Sequence, residues 1–433
     1  MRIVMIGTGY VGLVSGACFS DFGHSVICVD KDKAKVDALL EGRMPIYEPG
    51  LDDLVERNVT AGRLEFTLDL TCAVPEADAV FIAVGTPSRR GDGHADLSYV
   101  YAAATEMAEH LRRGAVVVTK STVPVGTGDG IERIIREARP DLEFYVASNP
   151  EFLREGAAID DFKRPDRVVI GVNEDTAGKV LREIYQPLLR NDAPLLVMAR
   201  RGAELTKYAA NAFLATKISF INEIADLCEK VGADVQDVAH GMGLDNRIGA
   251  RFLQPGPGYG GSCFPKDTLA LLKTGQDYEA PLRIVEAVVA ANDQRKRMMG
   301  RKVVQALDGD PHGKTVALLG LTFKANTDDM RDSPAVAVVQ ALQDVGITVR
   351  AYDPAGMEQA AKLLDDVVYC ENSYDALEGA DAAVILTEWD AFRALDLARA
   401  KELLTTPLLI DLRNLYSRAA VEREGFRYVA IGR

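Results

Sequence analysis

The sequence predicts an α/β protein in which two parallel-sheet domains are joined by a long central helix. Short apolar runs alternate with helical patterns near the N-terminus and again after residue 309, and one long helical pattern lies between these regions. Such alternation is typical of parallel sheets covered by helices on both faces. We predict a first domain over 1–200, a central helical and dimerisation region with a reactive cysteine loop over 201–308, and a second domain over 309–433.

In the first domain, strand Arg2–Ile6 is followed by the glycine turn 7–12 and a helix that continues to about Phe22. A second strand, Ser25–Val29, ends at Asp30. Each further apolar run is bounded by turn residues, which predicts strands at 79–84, 115–119, 144–148 and 168–172.

The middle of the chain carries a helical pattern from Gly202 to Val231, with Gly232 as its C-terminal stop. A second long helix is predicted over 281–307, because Pro281 suits a first helical turn. The second domain then contains strands at 315–319, 348–352, 383–386 and 407–411 and a helix over 333–344. It has no G-x-G-x-x-G turn, so we expect no second dinucleotide bound in the same way.

Composition fits an ordinary folded protein of 433 residues, with 48% hydrophobic and 26% charged residues. The net charge of −14 argues against nucleic acid or an anionic membrane as partner. No run reaches the roughly 18 apolar residues of a membrane span, and the six cysteines form no C-x-x-C pair. We therefore expect a cytoplasmic protein in a reducing compartment.

The glycine turn is the first candidate site. Gly7, Gly9 and Gly12 form a G-x-G-x-x-G that follows a strand and opens a helix, where a pyrophosphate approaches the helix N-terminus. Asp30 ends the next strand, the position that binds the ribose of NAD and repels the 2′-phosphate of NADP. The pattern predicts a Rossmann-like domain that binds NAD rather than NADP.

A second candidate is the glycine-rich segment 258–267, in which Cys263 precedes a helix predicted from Pro265. A thiol at a helix N-terminus near Lys266 and Lys207 would have a lowered pKa and be partly thiolate at neutral pH. The alternative is an inert buried cysteine, which is our interpretation of the other five.

Three other segments place polar groups at suitable positions. Lys207 and Asn211 lie one helical turn apart on the same face. They either point into one site or belong to a solvated helix face. Segments 148–155 and 120–124 lie at the ends of strands, where open α/β sheets bind their ligands. Alternatively, Glu151 and Glu155 are charges at a helix N-terminus, and the hydroxyls of 120–124 cap a helix. The five histidines lack metal-ligand spacing, so we expect no metal site and assign proton transfer to lysine, carboxylates and water.

Taken together, these motifs resemble the nucleotide-sugar dehydrogenases, the family shared by UDP-glucose and GDP-mannose dehydrogenases. The residues of segments 211–220 and 260–267 are similar to those of the UDP-glucose 6-dehydrogenase branch. The resemblance covers essentially the whole chain and is carried by 7–12, 120–126, 149–156, 204–223, 247–267 and 320–334.

The resemblance implies an NAD-dependent four-electron oxidation of UDP-glucose to UDP-glucuronate that releases two NADH. Cys263 would capture the C6 aldehyde as a thiohemiacetal, which a second oxidation converts to a thioester. Lys207 with Asn211 would stabilise the C6 oxygen. Asp267, Thr122 and Glu151 would handle protons and position the hydrolytic water.

The same resemblance implies the binding residues. The cofactor set comprises Gly7, Gly9, Tyr10, Val11, Gly12, Asp30, Lys35, Thr86, Thr122, Glu155 and Arg331. The substrate set comprises Glu151, Phe152, Leu153, Lys207, Asn211, Arg247, Phe252, Gln254, Gly258, Tyr259, Gly260, Phe323, Lys324 and Arg413. Arg247 is similar to an arginine that reaches in from a neighbouring subunit, which implies a homodimer or higher oligomer.

Two other functions remain open. A two-electron hydroxyacid dehydrogenase also pairs a nucleotide-binding domain with a lysine and an asparagine on a long helix, but it needs neither a nucleophilic cysteine nor a second α/β domain. A non-enzymatic dinucleotide sensor needs only about the first 200 residues. The yield of NADH per substrate, two, one or none, separates the three.

Overall fold

The computed structural model describes residues 1–89 and 93–433. The chain divides into two compact units. The first comprises Met1–Ala210 and Leu269–Ala280, and the second comprises Asn211–Thr268 and Pro281–Arg433. Each unit is therefore built from two separate stretches of chain.

The first unit contains an eight-stranded sheet in the order β3-β2-β1-β4-β5-β6-β7-β8. Its central strands are almost continuously apolar and buried, as expected where helices cover both faces. All neighbours are parallel except β6 and β7, where Ala147 faces Val172 in antiparallel register. The strands are β1 Arg2–Ile6, β2 Ser25–Val29, β3 Leu64–Thr67, β4 Ala79–Ile82, β5 Ala115–Thr119, β6 Phe144–Ser148, β7 Val168–Val172 and β8 Leu195–Met198.

Helices connect these strands, and a 3₁₀ turn lies at Val74–Glu76. Asp32 and Asp69 cap α2 and α4 with their carboxylates, which explains where those helices begin. The helices are α1 Tyr10–Asp21, α2 Lys33–Leu40, α3 Leu51–Thr60, α4 Leu70–Ala73, α5 Ser98–Ala108, α6 Thr127–Ala138, α7 Ala158–Lys163, α8 Asp175–Ile184, α9 Gln186–Leu189 and α10 Arg200–Val231. Helix α10 begins in the first unit and continues into the second.

The second unit contains a six-stranded parallel sheet in the order β11-β10-β9-β12-β13-β14. Its strands are β9 Thr315–Leu319, β10 Thr348–Tyr352, β11 Val367–Tyr369, β12 Ala382–Ile385, β13 Leu408–Asp411 and β14 Arg427–Ala430. The helices that follow α10 are α11 Val235–Gly243, α12 Phe264–Asp277, α13 Arg283–Ala306, α14 Pro334–Gln343, α15 Met357–Ala360, α16 Ser373–Leu377, α17 Asp390–Arg393, α18 Leu397–Leu403 and α19 Arg418–Arg423.

The predicted fold class is confirmed: two α/β sheets are present, and α10 lies between them in the chain. Gly232, with φ of +75°, follows the last residue of α10 as expected of a helix stop. One pairing of the first sheet departs from the parallel pattern: β7 runs antiparallel to β6. Four strands went unpredicted, β3, β8, β11 and β14, and each is an edge strand of only three or four residues, at least one of which is exposed.

Candidate active site

In the glycine turn after β1, the backbone at Gly12 packs closely against the backbone at Gly7. Gly7 has φ of +103°, and a Cβ at Gly12 would lie 2.0 Å from the Gly7 carbonyl oxygen, so both positions require glycine. At Gly9 a Cβ would meet nothing within 4 Å. Helix α1 begins at Tyr10 with no acidic residue in its first turn. These features fit the pyrophosphate of a dinucleotide, which needs close backbone approach and a helix N-terminus.

Asp30 is held beside this turn. Its Oδ2 accepts hydrogen bonds from the amide and the hydroxyl of Thr8, both at 2.7 Å, and its Oδ1 accepts from the amide of Asp32. Burial raises the pKa of Asp30, but these hydrogen bonds and the charge of Lys35 outweigh it and lower the pKa overall. The carboxylate is therefore ionised at neutral pH, as a ribose acceptor and a barrier to a 2′-phosphate require.

Glu48 joins the turn to the loop that carries Glu155. The Tyr10 hydroxyl donates to its carboxylate, which also accepts from the amides of Gly156 and Ala158 at 2.7 Å each. Burial first, and then Glu48, raise the pKa of Tyr10, so its hydroxyl stays protonated. Sequence reasoning missed Glu48, because it lies in a loop without a recognisable pattern.

A cluster of buried charges lies at the ends of β5 and β6. Lys207 Nζ lies 3.0 Å from Glu151 Oε1, and both side chains are 4% exposed. Glu151 also accepts a 2.5 Å hydrogen bond from the amide of Leu153. Burial raises the pKa of Glu151, but Lys207, that amide and Lys120 together lower it. Phe152 covers this pair, with Lys207 Nζ 5.3 Å from its ring centroid.

The predicted nucleophile lies in the second unit, immediately before α12. Cys263 is half-buried, and its carbonyl accepts the 2.8 Å hydrogen bond from the Asp267 amide that starts the helix. A Cβ at Gly260 would lie 2.4 Å from the Asp332 carbonyl oxygen, and Gly261 has φ of +82°. The glycines therefore let this segment, the cysteine loop 256–263, pack against the stretch 323–332. All six cysteines are free thiols.

Asp267 and Asn211 form a buried pair in the same unit. Asn211 Nδ2 donates a 2.6 Å hydrogen bond to Asp267 Oδ2, and the Asp267 carboxylate is only 1% exposed. Lys266, which the sequence places beside the thiol, donates to Asp267 Oδ1 at 2.6 Å. Asn211 is the first residue of the second unit, whereas Lys207, one turn earlier on α10, belongs to the first.

Helix α13 anchors the cysteine loop and the stretch 323–332 that packs against it. Asn292 bonds both backbone groups of Tyr259, at 2.8 and 3.0 Å. Arg295 Nε donates to the Gly256 carbonyl at 3.0 Å, and Lys296 Nζ donates to the Asp332 carbonyl at 2.9 Å. The sequence analysis missed all three anchors. Their spacing of three and four residues on one helix face is the signal that would have found them.

The remaining predicted substrate residues of the second unit differ in exposure. Arg413 is held by the carbonyls of Phe323 and Leu386, at 2.7 and 2.8 Å. Lys324 Nζ lies 5.5 Å from the Phe323 ring centroid. The Arg247 side chain is 89% exposed and forms a bidentate pair with Asp245. Gln254 is exposed, Phe252 has φ of +65°, and Gly258, Tyr259 and Gly260 are buried.

The remaining predicted residues of the first unit surround the glycine turn and the charge cluster. Thr86 donates a 2.9 Å hydrogen bond to the carbonyl of Thr122. Val11, Lys35, Thr122, Leu153 and Glu155 are half-buried. In the second unit, Arg331 forms an ion pair of 2.8 Å with Asp329. Among residues 1–89 and 93–433, no group of three potential metal ligands lies close together, and no helix is long and apolar enough to cross a membrane.

The glycine turn, the ionised Asp30 and the parallel sheet define an NAD-dependent dehydrogenase. The chain belongs to the UDP-glucose/GDP-mannose dehydrogenase family. It matches the NAD binding domain of that family over 1–189, the central domain over 201–294 and the UDP binding domain over 317–418.

Similar proteins span the full length. The chain is 65% identical to a UDP-glucose 6-dehydrogenase of Rhizobium meliloti (strain 1021), covering all of both chains. It is 48% identical to a UDP-glucose 6-dehydrogenase of Pseudomonas aeruginosa, covering 100% of this chain and 98% of that one. A UDP-glucose dehydrogenase structure from Pyrobaculum islandicum superimposes with a TM-score of 0.89 at 42% identity, covering 99% of this chain and 96% of that one.

Proposed function

We propose that this chain oxidises UDP-glucose to UDP-glucuronate through a covalent intermediate on Cys263. The overall reaction consumes one UDP-glucose, two NAD⁺ and one water and yields UDP-glucuronate, two NADH and three protons. The full-length identity to enzymes named UDP-glucose 6-dehydrogenase supports the substrate. Bound NAD supplies a hydride acceptor at each of the two oxidations.

The observation that carries the covalent mechanism is the position of Cys263. Its half-buried thiol lies between a glycine loop with close backbone packing and the first turn of α12, where the helix dipole favours a thiolate. The thiolate sulfur adds to C6 of the aldehyde and gives a thiohemiacetal. Loss of a second hydride leaves a thioester, and water attacks its carbonyl to release the carboxylate and the thiol.

Two buried pairs supply the other functions. Lys207, held by Glu151, stabilises negative charge on the C6 oxygen, and Asn211, held by Asp267, donates to the same oxygen. Glu151, Thr122 and Asp267 receive the released protons and position the hydrolytic water. In the second unit, Lys324 and Arg413 provide cations for the UDP diphosphate, with Phe323 and the 258–260 backbone against the sugar nucleotide.

The test is the yield of NADH from a limiting amount of UDP-glucose, which we expect to be two per substrate. Cys263→Ser should reduce steady turnover by about 10³-fold or more, since a serine hydroxyl is scarcely ionised and its ester leaves poorly. An ester should appear as added mass on the peptide that contains residue 263. Cys72→Ser is the matched control, because Cys72 is exposed and lies outside the proposed site.

A yield of one NADH would indicate the two-electron hydroxyacid class, and no NADH would indicate a dinucleotide sensor. Near-normal yield from Cys263→Ser would contradict the covalent mechanism. Lys207→Ala provides a contrast: it should slow hydride transfer without trapping an ester, because the nucleophile remains in place.

We also propose that the protein acts as a homodimer or a higher oligomer. The part of α10 in the second unit exposes Phe213, Phe220 and Leu227, which are spaced by seven residues and are 66%, 45% and 55% exposed. A second copy would cover this stripe, and the exposed Arg247 would then reach the partner's site. The central region proposed for this contact is 201–308, between an NAD-binding domain at 1–200 and a UDP-binding domain at 309–433.

Subunit mixing tests the role of Arg247. Arg247→Ala and Cys263→Ala proteins should each be inactive, and a mixture should recover up to about a quarter of wild-type activity if chains exchange at random, because one hybrid site contains both groups. Labelled subunits verify exchange by mass. Exchange without recovery would show that Arg247 acts within its own chain.

A further inference from the structure

Lys120 is a buried lysine to which the proposed mechanism gives no role. It is the first residue after β5 and is 3% exposed. Its Nζ lies 3.1 Å from both Asn149 Oδ1 and the Tyr185 hydroxyl, and that hydroxyl donates a 2.6 Å hydrogen bond to Asn149 Oδ1. The Nζ also lies 5.7 Å from the ring centroids of Phe162 and Tyr185. Such burial is rare for an ammonium group unless function requires it.

Asn149 connects Lys120 to Glu151. Its backbone amide donates to the Thr119 carbonyl at 2.9 Å, and its side-chain amide donates to the Val169 carbonyl at 2.8 Å, so its position is fixed on two sides. Glu151 follows two residues later, after Pro150, and forms the ion pair with Lys207. Lys120 therefore holds the start of the loop whose carboxylate we place in the active site.

The charges of these groups act on one another. Burial lowers the pKa of Lys120 to about 7; Glu151, from the loop after β6, opposes this, and Lys207, from α10, adds to it. Tyr185, between α8 and α9, faces the same ammonium, and burial raises its pKa, so it remains neutral. Lys120 thus changes charge close to neutral pH, next to an ion pair that both oxidations need.

We propose that Lys120 is a positioning residue that sets the ionisation of Glu151 by its charge and fixes the Glu151 loop through Asn149. This inference rests on the proposed function, which assigns roles to Glu151 and Lys207. A cation beside a carboxylate stabilises its ionised form, and a cation beside a second ammonium disfavours that ammonium. Removal of the Lys120 charge should therefore raise the pKa of Glu151, whereas a cation that stays charged at alkaline pH should lower the pKa of Lys207.

The first test compares the pH dependence of kcat/KM for UDP-glucose in the wild type, Lys120→Met and Lys120→Arg. In Lys120→Met, we expect the acid limb to move upward by about one pH unit, since Glu151 loses the coulombic stabilisation that Lys120 gives its carboxylate. The alkaline limb should stay near that of the wild type, because Lys120, with a pKa of about 7, is already neutral at alkaline pH. Lys120→Arg keeps a cation, so its limbs should lie below those of Lys120→Met. Lys163→Met is the control: Lys163, on α7, pairs with Asp21 at the end of α1, and its loss should move neither limb.

The second test uses stability and needs no substrate. Because the folded pKa of Lys120 is about 7 and the unfolded value about 10.4, the unfolded state binds more protons between these values. The burial penalty is thus fully present below pH 7 and disappears toward pH 10.4. The thermal midpoint of the wild type relative to Lys120→Met should therefore rise across this window, whereas Lys163→Met should show no such trend.

Tyr185→Phe is a second variant, because it removes one oxygen partner of Lys120 and keeps the lysine. Its acid limb should move in the same direction as that of Lys120→Met, by a smaller amount. If Lys120→Met and Tyr185→Phe lower activity while the acid limb stays unmoved and the relative midpoint stays flat, Lys120 is a purely structural residue and the proposal is overturned. A wild type that yields no NADH from UDP-glucose would instead overturn the proposed function, while the stability test still reports on the Lys120 charge.

Discussion

In both sheets, a threonine in the turn after the first strand hydrogen-bonds an aspartate at the end of the second strand, but the two aspartates differ in their other contacts. In the first unit, β1 is followed by Gly7, and Thr8 donates its amide and hydroxyl to Asp30 at the end of β2. In the second unit, β9 is followed by Gly320 with φ of +97°, and Thr322 donates both groups to Asp353 at the end of β10. Both sheets also share the order 3-2-1-4-5-6 over their first six strands.

The difference lies in what else the carboxylate binds and how the next helix starts. Asp353 is 1% exposed and also accepts from Leu321, Ala355, Gly356 and the Trp389 indole. Asp30 has fewer partners and is half-buried. The first helix begins after residues 7–9, whereas residues 320–333 precede α14 and hold Phe323, Lys324 and Arg331. One fold thus yields a dinucleotide site in one unit and frees a longer loop for another ligand in the other.

The largest expected effect is on the free energy of unfolding, and it distinguishes Asp353 from Asp30. Asp353→Ala should lower the free energy of unfolding by about 3–5 kcal/mol, because it strands several buried donors at once. Denaturant unfolding followed by circular dichroism measures this. Asp353→Asn keeps one acceptor oxygen and should lose less. Equal stability of Asp353→Ala and the wild type would break the distinction between a structural and a ligand-binding carboxylate.

Asp30→Ala should affect the use of NAD as well as stability. Its free energy of unfolding should fall by about 1–3 kcal/mol, less than in Asp353→Ala, because only the two donors of Thr8 and the exposed-side amide of Asp32 lose their acceptor. The kcat/KM with NAD should fall by about 10–100-fold, since a charged hydrogen bond to ribose is lost. Activity with NADP should fall less, so the preference for NAD narrows. Asp32→Ala is the control, because Asp32 caps α2 and contacts Asp30 only through its backbone amide. An unchanged NAD to NADP ratio would contradict the role of Asp30.

The smallest expected effect concerns Glu48, which has no counterpart among the residues that surround Asp353. Glu48→Gln loses one acceptor for the Gly156 and Ala158 amides, and the KM for NAD should rise about 3–10-fold. The kcat should change little, because the buried Glu151 and Lys207 pair is separate. Glu56→Gln, on the exposed face of α3, serves as the control. A fall in kcat without a change in KM would place Glu48 nearer the chemistry.

Sequence reasoning recovered the parts of the molecule that depend on local pattern. The buried strand Ala115–Thr119 is an apolar run of five residues and was predicted to the residue. Strand β8 at the sheet edge was missed although it is apolar, because it has only four residues, two of them exposed, and its place in the sheet depends on pairing with β7. The direction of β7 depends on long-range pairing with β6, which no local pattern encodes.

In the candidate site as well, the residues that follow a local pattern were predicted and those that depend on long-range contacts were not. Cys263 and the 7–12 turn are readable because glycines cluster where backbone must approach closely. Glu48, Asn149 and Asn292 act through contacts with residues 20 to 110 positions away, so their roles emerge only in three dimensions.

The discontinuity of the first unit has a consequence for biosynthesis. Its chain leaves at Ala210 and returns only at Leu269–Ala280, where Asp277 lies 3.2 Å from His94. A ribosome must therefore synthesise about 70 residues beyond Ala210 before the unit is complete, which takes roughly 4–14 s at about 5–20 residues per second. During that interval the nascent sheet is present without its last helical segment, and a single cut after residue 210 would leave an excised fragment in that same incomplete state.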